Sequence, residues 1–278
     1  MRVLVIGASG LVGGYILKEA RKKGYEVLGT CFSSTKEGLI QLDIRKKDEV
    51  FKVISDFNPD TVILPAAYAS VDGCEENPEL SYGINVVGTA NVAEASRGRR
   101  FIYFSTDYIF DGKKGPYPED AYPGPLSTYG LHKLIGEYEV LRRHDRPSIV
   151  RTAWVYGWGG KRLGFVLHVI KSAKEGRKFY AAVDEYGTPT YAGDIAERIF
   201  DVPPGIKNIS GKTFVSRYEY ALLVCEAFGL PVDVVVPVKA DELPRKAKRP
   251  EKAGLIDPDG MELREGLGRM KNERNPPA

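Results

Sequence analysis

The sequence predicts an α/β protein built on a doubly wound parallel sheet, with a smaller C-terminal lobe. Three observations support this fold class. Apolar strand-like runs alternate with helical periods through the first half of the chain, the first of these strands leads directly into a glycine-rich turn, and the alternation fades after about residue 155. Alternating strands and helices imply right-handed crossovers with helices on both faces of the sheet. Ligands of such a sheet bind outside the carboxyl ends of its strands.

The elements follow from short apolar runs bounded by turn residues and from segments with helical spacing. Strands are predicted at Val3–Ile6, Glu26–Thr30, Gly38–Leu42, Thr61–Leu64, Arg100–Ser105 and Ser148–Arg151. Helices are predicted at Val12–Lys23, Lys47–Phe57, Pro78–Arg97, Thr128–Arg142, Phe165–Lys174 and Arg217–Phe228. We expect residues 1–155, with a return segment near 181–205, to form one domain and residues 156–278 to form mainly the smaller lobe.

The glycine-rich turn is the most informative feature of the sequence. Gly7, Gly10 and Gly13 lie between a predicted strand and a predicted helix. This layout directs backbone N–H groups and a helix dipole at a pyrophosphate, so the turn predicts a dinucleotide site. A glycine-rich turn in some other α/β protein is the alternative.

Composition excludes several classes of protein. The 278 residues are 43% hydrophobic and 28% charged with a formal charge of +3, which is ordinary for a globular protein and gives no reason to expect a nucleic-acid or membrane partner. Cys31, Cys74 and Cys225 are odd in number and lack C-x-x-C spacing. That pattern argues against a disulfide framework or a zinc site and suits a cytoplasmic protein. We expect no bound metal.

A tyrosine and a lysine four residues apart form the second signal. Tyr129 and Lys133 share one face of a predicted helix, and Tyr129 is the only tyrosine of sixteen with lysine at that spacing. A neighbouring ammonium lowers the pKa of a phenol, which then exchanges a proton with a carbonyl oxygen near neutral pH. A surface pair is the alternative.

His132 lies on a different face of this predicted helix and is expected to be exposed.

Polar residues at the ends of two elements complete the candidate site. Ser105, Thr106 and Asp107 close the fifth predicted strand, where a hydroxyl can donate to a substrate carbonyl. A hydroxyl-rich turn is the alternative. Asn85 lies within a predicted helix, where a buried amide can order a water or a backbone group, or simply make a core hydrogen bond.

These motifs together resemble the extended short-chain dehydrogenase/reductases, and within them the dTDP-4-dehydrorhamnose reductase family. The more specific runs are S-T-D-Y-I-F-D-G at residues 105–112 and R-T-A-W-V-Y-G at residues 151–157. Tyr186–Thr190 and Lys248–Pro250 also fit that family. The resemblance covers nearly the whole chain and implies a Rossmann-type domain with a small C-terminal substrate lobe.

The resemblance implies reduction of dTDP-4-dehydro-L-rhamnose to dTDP-L-rhamnose. Tyr129 would protonate the C4 ketone oxygen while the nicotinamide delivers hydride. Lys133 would lower the Tyr129 pKa and hold the ribose, and Thr106 would hydrogen-bond the ketone. The implied cofactor residues are Gly7, Ser9, Gly10, Leu11, Val12, Thr30, Ser33, Ser34, Asp43, Ile44, Ala66, Ala67, Tyr68, Asn85, Tyr129 and Lys133. The implied substrate residues are Thr106, Asp107, Tyr108, Trp154 and Arg249. A homodimer also fits the family.

Two departures from the family pattern bear on the ligands. Gly164-Phe165 stands where the family usually has Asn-Phe, which leaves the sugar open. No acid follows the second strand; Thr30–Lys36 offers hydroxyls and a cation instead, which suit a 2′-phosphate. We therefore expect NADP(H), with NAD(H) left open. A solvated loop without cofactor contact is the alternative.

Two other functions remain open at this point. A nucleotide-sugar epimerase or dehydratase shares the turn and the Tyr–Lys pair, although Tyr108 stands where a dehydratase would carry a second acid. A non-catalytic regulatory subunit resembling the β-subunit of methionine adenosyltransferase keeps the same fold. The presence of Thr106, Tyr129 and Lys133 favours catalysis.

Overall fold

The structure is a computed structural model that describes residues 1–33, 38–160 and 163–273. Its strands are β1 (Arg2–Ile6), β2 (Glu26–Cys31), β3 (Leu39–Gln41), β4 (Thr61–Leu64), β5 (Arg100–Thr106), β6 (Ser148–Thr152), β7 (Val155–Tyr156), β8 (Phe179–Ala182), β9 (Tyr186–Gly187), β10 (Thr190–Tyr191), β11 (Gly205–Asn208), β12 (Val215–Ser216) and β13 (Val235–Val238). Its α-helices are α1 (Leu11–Lys22), α2 (Lys47–Phe57), α3 (Val71–Glu76), α4 (Pro78–Tyr82), α5 (Thr89–Ala95), α6 (Thr128–Arg143), α7 (Phe165–Lys174), α8 (Ala192–Arg198), α9 (Arg217–Phe228) and α10 (Leu263–Asn272).

A seven-stranded parallel sheet forms the centre of the molecule. Its strand order is β11-β6-β5-β4-β1-β2-β3, and every neighbouring pair is parallel. The chain builds β1, β2 and β3 outward and then returns to place β4 on the other side of β1. That reversal creates a crevice at the carboxyl ends of β1 and β4, where ligands of doubly wound sheets bind. The predicted fold class is confirmed.

The central strands form because their side chains are apolar on both faces. Val3 and Val5 of β1 pack into the core that includes α1 and α8, whereas Leu4 and Ile6 pack into the core on the opposite face. All four are buried, as expected when helices cover both faces of a parallel sheet. The strands predicted in the first half are all present, with ends shifted by no more than one residue.

The predicted helix Pro78–Arg97 is the main error of local structure. The structure divides this stretch into α4, a π-helical segment at Gly83–Gly88, and α5. A Cβ at Gly88 would lie 2.5 Å from Ile44 Cγ1, so the widened turn lies directly against the loop that follows β3. Single π-helical turns of this kind are frequent at functional sites.

The second half of the chain adds small two-stranded sheets and helices. β7 pairs with β10, β8 with β13 and β9 with β12, and α7 packs on α9. Within this half α8 returns to pack against α1, and β11 joins the edge of the central sheet. The predicted division at residue 155 stays a prediction. No helix in the described ranges is long and apolar enough to cross a bilayer.

A buried ion pair fixes α6 to β6. Arg151 Nε and Nη2 donate to the two carboxylate oxygens of Glu137 at 3.0 and 2.8 Å, and Arg151 Nη1 donates to the Glu119 carbonyl at 2.9 Å. The Arg151 and Glu137 side chains are only 4% and 3% exposed. The Phe110 ring lies under the guanidinium at 5.4 Å, so this pair joins α6, β6 and the loop after β5.

Replacing Arg151 by methionine leaves the Glu137 carboxylate buried without its cation. We expect Arg151→Met to lower the free energy of unfolding by about 3–5 kcal/mol, measured by urea denaturation. Arg142→Met is the matched control, because Arg142 forms an exposed pair with Glu139 and should cost about 0–1 kcal/mol. Equal losses in the two variants would contradict the structural role of the buried pair.

Candidate active site

The turn after β1 has the geometry of an anion-binding site. Gly7 adopts φ +97°, a conformation that disfavours other residues, and a Cβ there would lie 2.8 Å from Ala66 Cα. Gly10 is the N-cap of α1 and has no side chain to satisfy the first N–H groups of the helix. These N–H groups and the helix dipole are therefore available to a phosphate group. The turn fits the pyrophosphate of a dinucleotide.

Hydrogen bonds hold this turn against the end of β2. Ala8 N donates to the Thr30 carbonyl at 2.8 Å, and Gly7 N donates to Thr30 Oγ1 at 3.3 Å. Ser9 and Thr30 are buried at 8% and 1% exposure, whereas Leu11 and Val12 are partly exposed at the start of α1. The hydroxyl of Thr30 thus lies inside the structure and fixes the turn.

The remaining predicted cofactor residues lie at the same edge of the sheet. Ala66, Ala67 and Tyr68 follow β4, and Ala66 N donates to the Ile6 carbonyl at 3.0 Å. Asp43 and Ile44 follow β3, next to β2. Ser33 follows β2, and the predicted contact Ser34 lies outside the described residues. The turn at Gly7 and the residues after β2, β3 and β4 therefore meet at one edge although they are distant in sequence. Their role in binding the cofactor stays a prediction.

Asn85 bonds to the backbone after β4. Its side-chain oxygen accepts from Tyr68 N at 2.9 Å, and its amide donates to the Tyr68 carbonyl at 3.1 Å. The same amide donates to Ser81 Oγ at 3.2 Å, and that hydroxyl lies 2.8 Å from His132 Nδ1. Asn85 therefore orders a backbone group, one of the roles expected for it, and links α4, α6 and the loop at Tyr68.

The expectation that His132 is exposed is wrong. His132 is only 8% exposed, and its ring contacts the Tyr82 ring edge-to-face at 5.5 Å. Burial lowers the pKa of His132, so the neutral imidazole is favoured. The error arises because α4 covers a face of α6 that helical periodicity alone treats as open to solvent.

The carboxyl end of β5 and the first turn of α6 bring Thr106 and Tyr129 together. Ser127 caps α6 by accepting from Gly130 N at 3.2 Å, and Gly130 lies against the Tyr108 carbonyl with no room for a side chain. The Tyr108 and Tyr129 rings meet edge-to-face with centroids 6.0 Å apart. Burial raises the pKa of Tyr129 above its ordinary value, while a hydrogen bond with Thr106 acts in the opposite direction. The phenol is therefore protonated at neutral pH.

Lys133 lies one helical turn further on and is buried. Its ammonium donates to the Phe104 carbonyl at 2.7 Å and lies 4.1 Å from the centroid of the Tyr103 ring. Burial lowers the pKa of Lys133 to about 7, although the carboxylate of Glu137 acts in the opposite direction. The pKa of Tyr129 is raised and not lowered in this structure, because burial outweighs the other influences on it; the contribution expected from Lys133 stays a prediction.

Asp107 lies beside Thr106 and is only 1% exposed. Its carboxylate accepts from Gly254 N at 3.1 Å and from Thr106 Oγ1 at 3.2 Å. Burial raises its pKa to about 6. Through these two hydrogen bonds the Asp107 carboxyl fixes the Thr106 hydroxyl and the loop at Gly254.

A cleft of about 400 Å³ lies beside Tyr108, the residue that follows Asp107. The predicted substrate residues Tyr108, Trp154 and Arg249 line it, together with Arg245 and with two residues that sequence reasoning missed, Glu185 and Arg217. The basic run at residues 245–249 is the sequence signal for Arg245 and Arg249. Arg217 gave none, because an arginine at the start of a helix is indistinguishable by pattern from a solvated one.

The three arginines of the cleft differ in their partners. Arg249 forms a two-pronged pair with Asp72, at 2.7 and 2.8 Å, and Arg245 pairs with Glu185. Arg217 has no carboxylate partner among the described residues. Its guanidinium lies 3.4 Å from the centroid of a Trp154 ring, at the positive end of α9 where a cation is unfavourable. The cleft therefore presents a guanidinium that forms no ion pair within the described residues, which suits an anionic ligand.

Comparison with known proteins gives consistent matches. The family model described as "RmlD substrate binding domain" matches residues 1–262. A dTDP-4-dehydrorhamnose reductase of Mycolicibacterium smegmatis is 35% identical, covering 90% of this chain and 76% of that protein. Methionine adenosyltransferase 2 subunit beta of Danio rerio is 31% identical, covering 91% of this chain and 82% of that protein.

A solved structure shows the same similarity in three dimensions. The dTDP-4-dehydrorhamnose reductase of Bacillus anthracis, in complex with NADP, superposes with a TM-score of 0.88 at 31% identity. The match covers 97% of this chain and 98% of that one. These matches confirm the resemblance that the motifs predicted.

The burial of Lys133 predicts a pH dependence of stability. Its pKa is about 7 in the folded state and about 10.4 when unfolded, so between these values the unfolded chain binds the extra proton. Stability contributed by this group therefore rises with pH above about 7, by at most about 1.4 kcal/mol per pH unit. Lys133→Met should remove this slope in urea unfolding at pH 7 and 9. The same slope in the native protein and the variant would contradict the burial of Lys133.

Proposed function

We propose, on the premise that the chain belongs to the RmlD substrate-binding domain family, that it reduces the C4 ketone of a dTDP-linked 4-dehydro-6-deoxysugar with NADPH. The observation that carries this proposal is the placement of Thr106 and Tyr129 at the sheet edge that also carries the Gly7–Gly13 turn. A hydride donor bound at the turn and a proton donor on α6 would then approach one substrate from the same edge. The cleft beside Tyr108 is the corresponding place for the sugar nucleotide.

Ketone reduction adds a hydride to carbon and a proton to oxygen. A nicotinamide bound at this edge supplies the hydride. Tyr129 supplies the proton, and its raised pKa keeps the phenol protonated until the ketone oxygen gains negative charge. The electron pair of the broken O–H bond remains on the phenolate, which water reprotonates. The single O–H of Thr106, which donates to Asp107 in the ligand-free protein, would turn to the same oxygen and stabilise its developing charge.

Lys133 and Asp107 position this chemistry. The ammonium of Lys133 lies at the end of β5 through its bond to Phe104, where a protonated lysine stabilises the phenolate formed in the reaction. Asp107 holds Thr106 Oγ1 through a 3.2 Å contact. The catalytic residues of the proposal are Thr106, Tyr129 and Lys133.

The cleft accounts for recognition of a nucleotide diphosphate. Two of its arginines are held by Asp72 and Glu185, and Arg217 keeps its charge without a carboxylate partner in the described part of the chain. Guanidinium groups bind diphosphate oxygens through paired charge-assisted hydrogen bonds. Trp154, stacked beneath Arg217, holds that guanidinium in the cleft.

The finer identity of the substrate rests on similarity. Relatives named dTDP-4-dehydrorhamnose reductase support dTDP-4-dehydro-L-rhamnose as the substrate and dTDP-L-rhamnose as the product. NADP in the similar solved structure supports NADPH as the reductant. A homodimer and a cytoplasmic location stay predictions.

A regulatory role is the second candidate, because the chain is also similar to methionine adenosyltransferase 2 subunit beta. A regulatory subunit needs the fold and the dinucleotide turn but no proton donor. The close arrangement of Thr106 and Tyr129 favours the reductase.

Removing the Tyr129 hydroxyl tests the proton donor. We expect Tyr129→Phe to lower kcat by about 10²-fold or more, because general acid catalysis is lost, while NADPH binds as before. The measurement is NADPH oxidation at 340 nm with dTDP-4-dehydro-L-rhamnose, and Tyr138→Phe, on the exposed side of α6, is the matched control. Retention of most of the activity in Tyr129→Phe would rule out this assignment. Absence of oxidation in the native protein, with NADPH bound, would favour the regulatory role.

Removing Arg217 tests the substrate cleft. We expect Arg217→Ala to raise KM for the sugar nucleotide about 10- to 100-fold, because a charge-assisted contact is lost, with an unchanged Kd for NADPH. Arg264→Ala is the control, since Arg264 forms an exposed pair with Glu226 away from the cleft. A KM equal to that of the native enzyme would place the diphosphate elsewhere.

A further inference from the structure

A second cationic feature lies apart from the cleft, at the carboxyl ends of β2 and β3. Phe32 follows β2 with 54% of its surface exposed, which is unusual for a phenylalanine at the end of an internal strand. The Arg45 guanidinium lies over this ring, 5.5 Å from its centroid. Its side chain is 36% exposed. An aromatic ring with an arginine stacked on it is a flat surface open to solvent, and the guanidinium on it is paired with Asp43.

Hydrogen bonds fix both the guanidinium and the backbone of Arg45. Its Nε and Nη2 donate to the carboxylate of Asp43 at 2.9 and 2.7 Å. The amide of Asn91, which is only 8% exposed, donates to the carbonyls of Ile44 and Arg45 at 3.0 and 3.2 Å. A surface arginine normally loses side-chain entropy when it binds a ligand. Here the backbone and the guanidinium are fixed in advance, so that cost is reduced.

Hydrogen bonds place this surface next to the phosphate turn. Leu42 N donates to the Cys31 carbonyl at 2.8 Å, and Gln41 Nε2 donates to the Phe32 carbonyl at 3.1 Å. On the other side of β2, Ala8 N donates to the Thr30 carbonyl. A dinucleotide with its pyrophosphate on the turn extends its adenosine half across the ends of β1 and β2. Its ribose then lies between the turn and Arg45.

These contacts determine which side chains are available to bind the 2′ position of the ribose. Thr30 is 1% exposed and its hydroxyl accepts from Gly7 N, so it faces the turn and not a ribose phosphate. Asp43 would accept from a ribose 2′-hydroxyl if its oxygens were open, but Arg45 engages both of them and lowers the pKa of Asp43. Nε and Nη2 of Arg45 are committed to Asp43, and no group among the described residues engages Nη1, which is the donor left for a second anion.

We propose that Arg45, stacked on Phe32 and oriented by Asp43, recognises the 2′-phosphate of NADP(H) and sets the preference of the enzyme for it over NAD(H). The inference rests on the dinucleotide site of the proposed function. The residue that distinguishes NADP(H) from NAD(H) then lies in the loop after β3. The residue pattern had pointed to the segment after β2 and to Lys36, which lies outside the described residues.

Isothermal titration calorimetry with 2′,5′-ADP and 5′-AMP tests the proposal without turnover. These two probes share the adenosine and the 5′-phosphate and differ only in the 2′-phosphate. We expect the native protein to bind 2′,5′-ADP at least about tenfold more tightly, as one charge-assisted contact implies. Arg45→Ala should weaken 2′,5′-ADP about tenfold or more and change 5′-AMP less than about twofold. Arg142→Ala, with its exposed pair to Glu139, is the control and should match the native protein.

Two further variants exclude indirect effects. Asp43→Asn/Arg45→Ala removes both charges, so a loss of 2′,5′-ADP binding there does not come from a bare carboxylate repelling the phosphate. Lys36→Ala tests the cation to which the residue pattern pointed. Loss of discrimination in Lys36→Ala with its retention in Arg45→Ala would overturn the proposal, as would equal affinity of the native protein for the two probes. Neither result affects the reductase assignment, which fails only if the ketone is not reduced.

Discussion

The parallel register of β1 with its neighbours β2 and β4 is the constraint on which the rest of the structure depends. Because all three strands run in the same direction, Gly7, Thr30 and Ala66 reach the same edge of the sheet at the same level. The bonds from Ala8 N to Thr30 and from Ala66 N to Ile6 fix that alignment. A glycine is required where the backbone of the turn meets Ala66, and the first N–H groups of α1 then face the crevice. Without this register the Gly7–Gly13 turn, the surface at Phe32 and Arg45, and Tyr129 would not share one edge.

Burial of polar groups is the second physical theme of the site. Lys133, Asp107 and the pair of Arg151 with Glu137 are all nearly inaccessible to solvent. Burying charges costs stability unless each is paired or hydrogen-bonded, so such residues constrain the packing around them. Asp107 is among the groups that act on Tyr129, and the first turn of its helix lies against Tyr108. The result is a phenol held protonated and fixed in place, which is the state a proton donor needs.

Much of the fold could be predicted from sequence because its signals are local. Apolar runs such as Thr61–Leu64 are buried on both faces and end at turn residues, so their boundaries were predicted to within one residue. The glycine turn and the spacing of Tyr129 and Lys133 are local too. The π-helical segment at Gly83–Gly88 was not predictable, because it depends on Asn85 meeting the backbone of Tyr68 seventeen residues earlier.

Contacts between distant elements explain the other failures. His132 is buried by α4, and Arg217 reaches the cleft because α9 begins beside Trp154. No pattern within a single helix reveals either contact. The contact of Arg45 with Phe32 joins the loop after β3 to the end of β2, and no pattern in either segment alone reveals it.

Transfer of deuterium from NADPH tests the central claim most directly. NADPH carrying deuterium at both C4 positions of the nicotinamide is incubated with dTDP-4-dehydro-L-rhamnose and the native protein, and the product is analysed by mass spectrometry and NMR. The account predicts a product with one deuterium, bonded to C4 of the sugar. A product without deuterium, or recovery of unreduced ketone from a protein that binds NADPH, would contradict it.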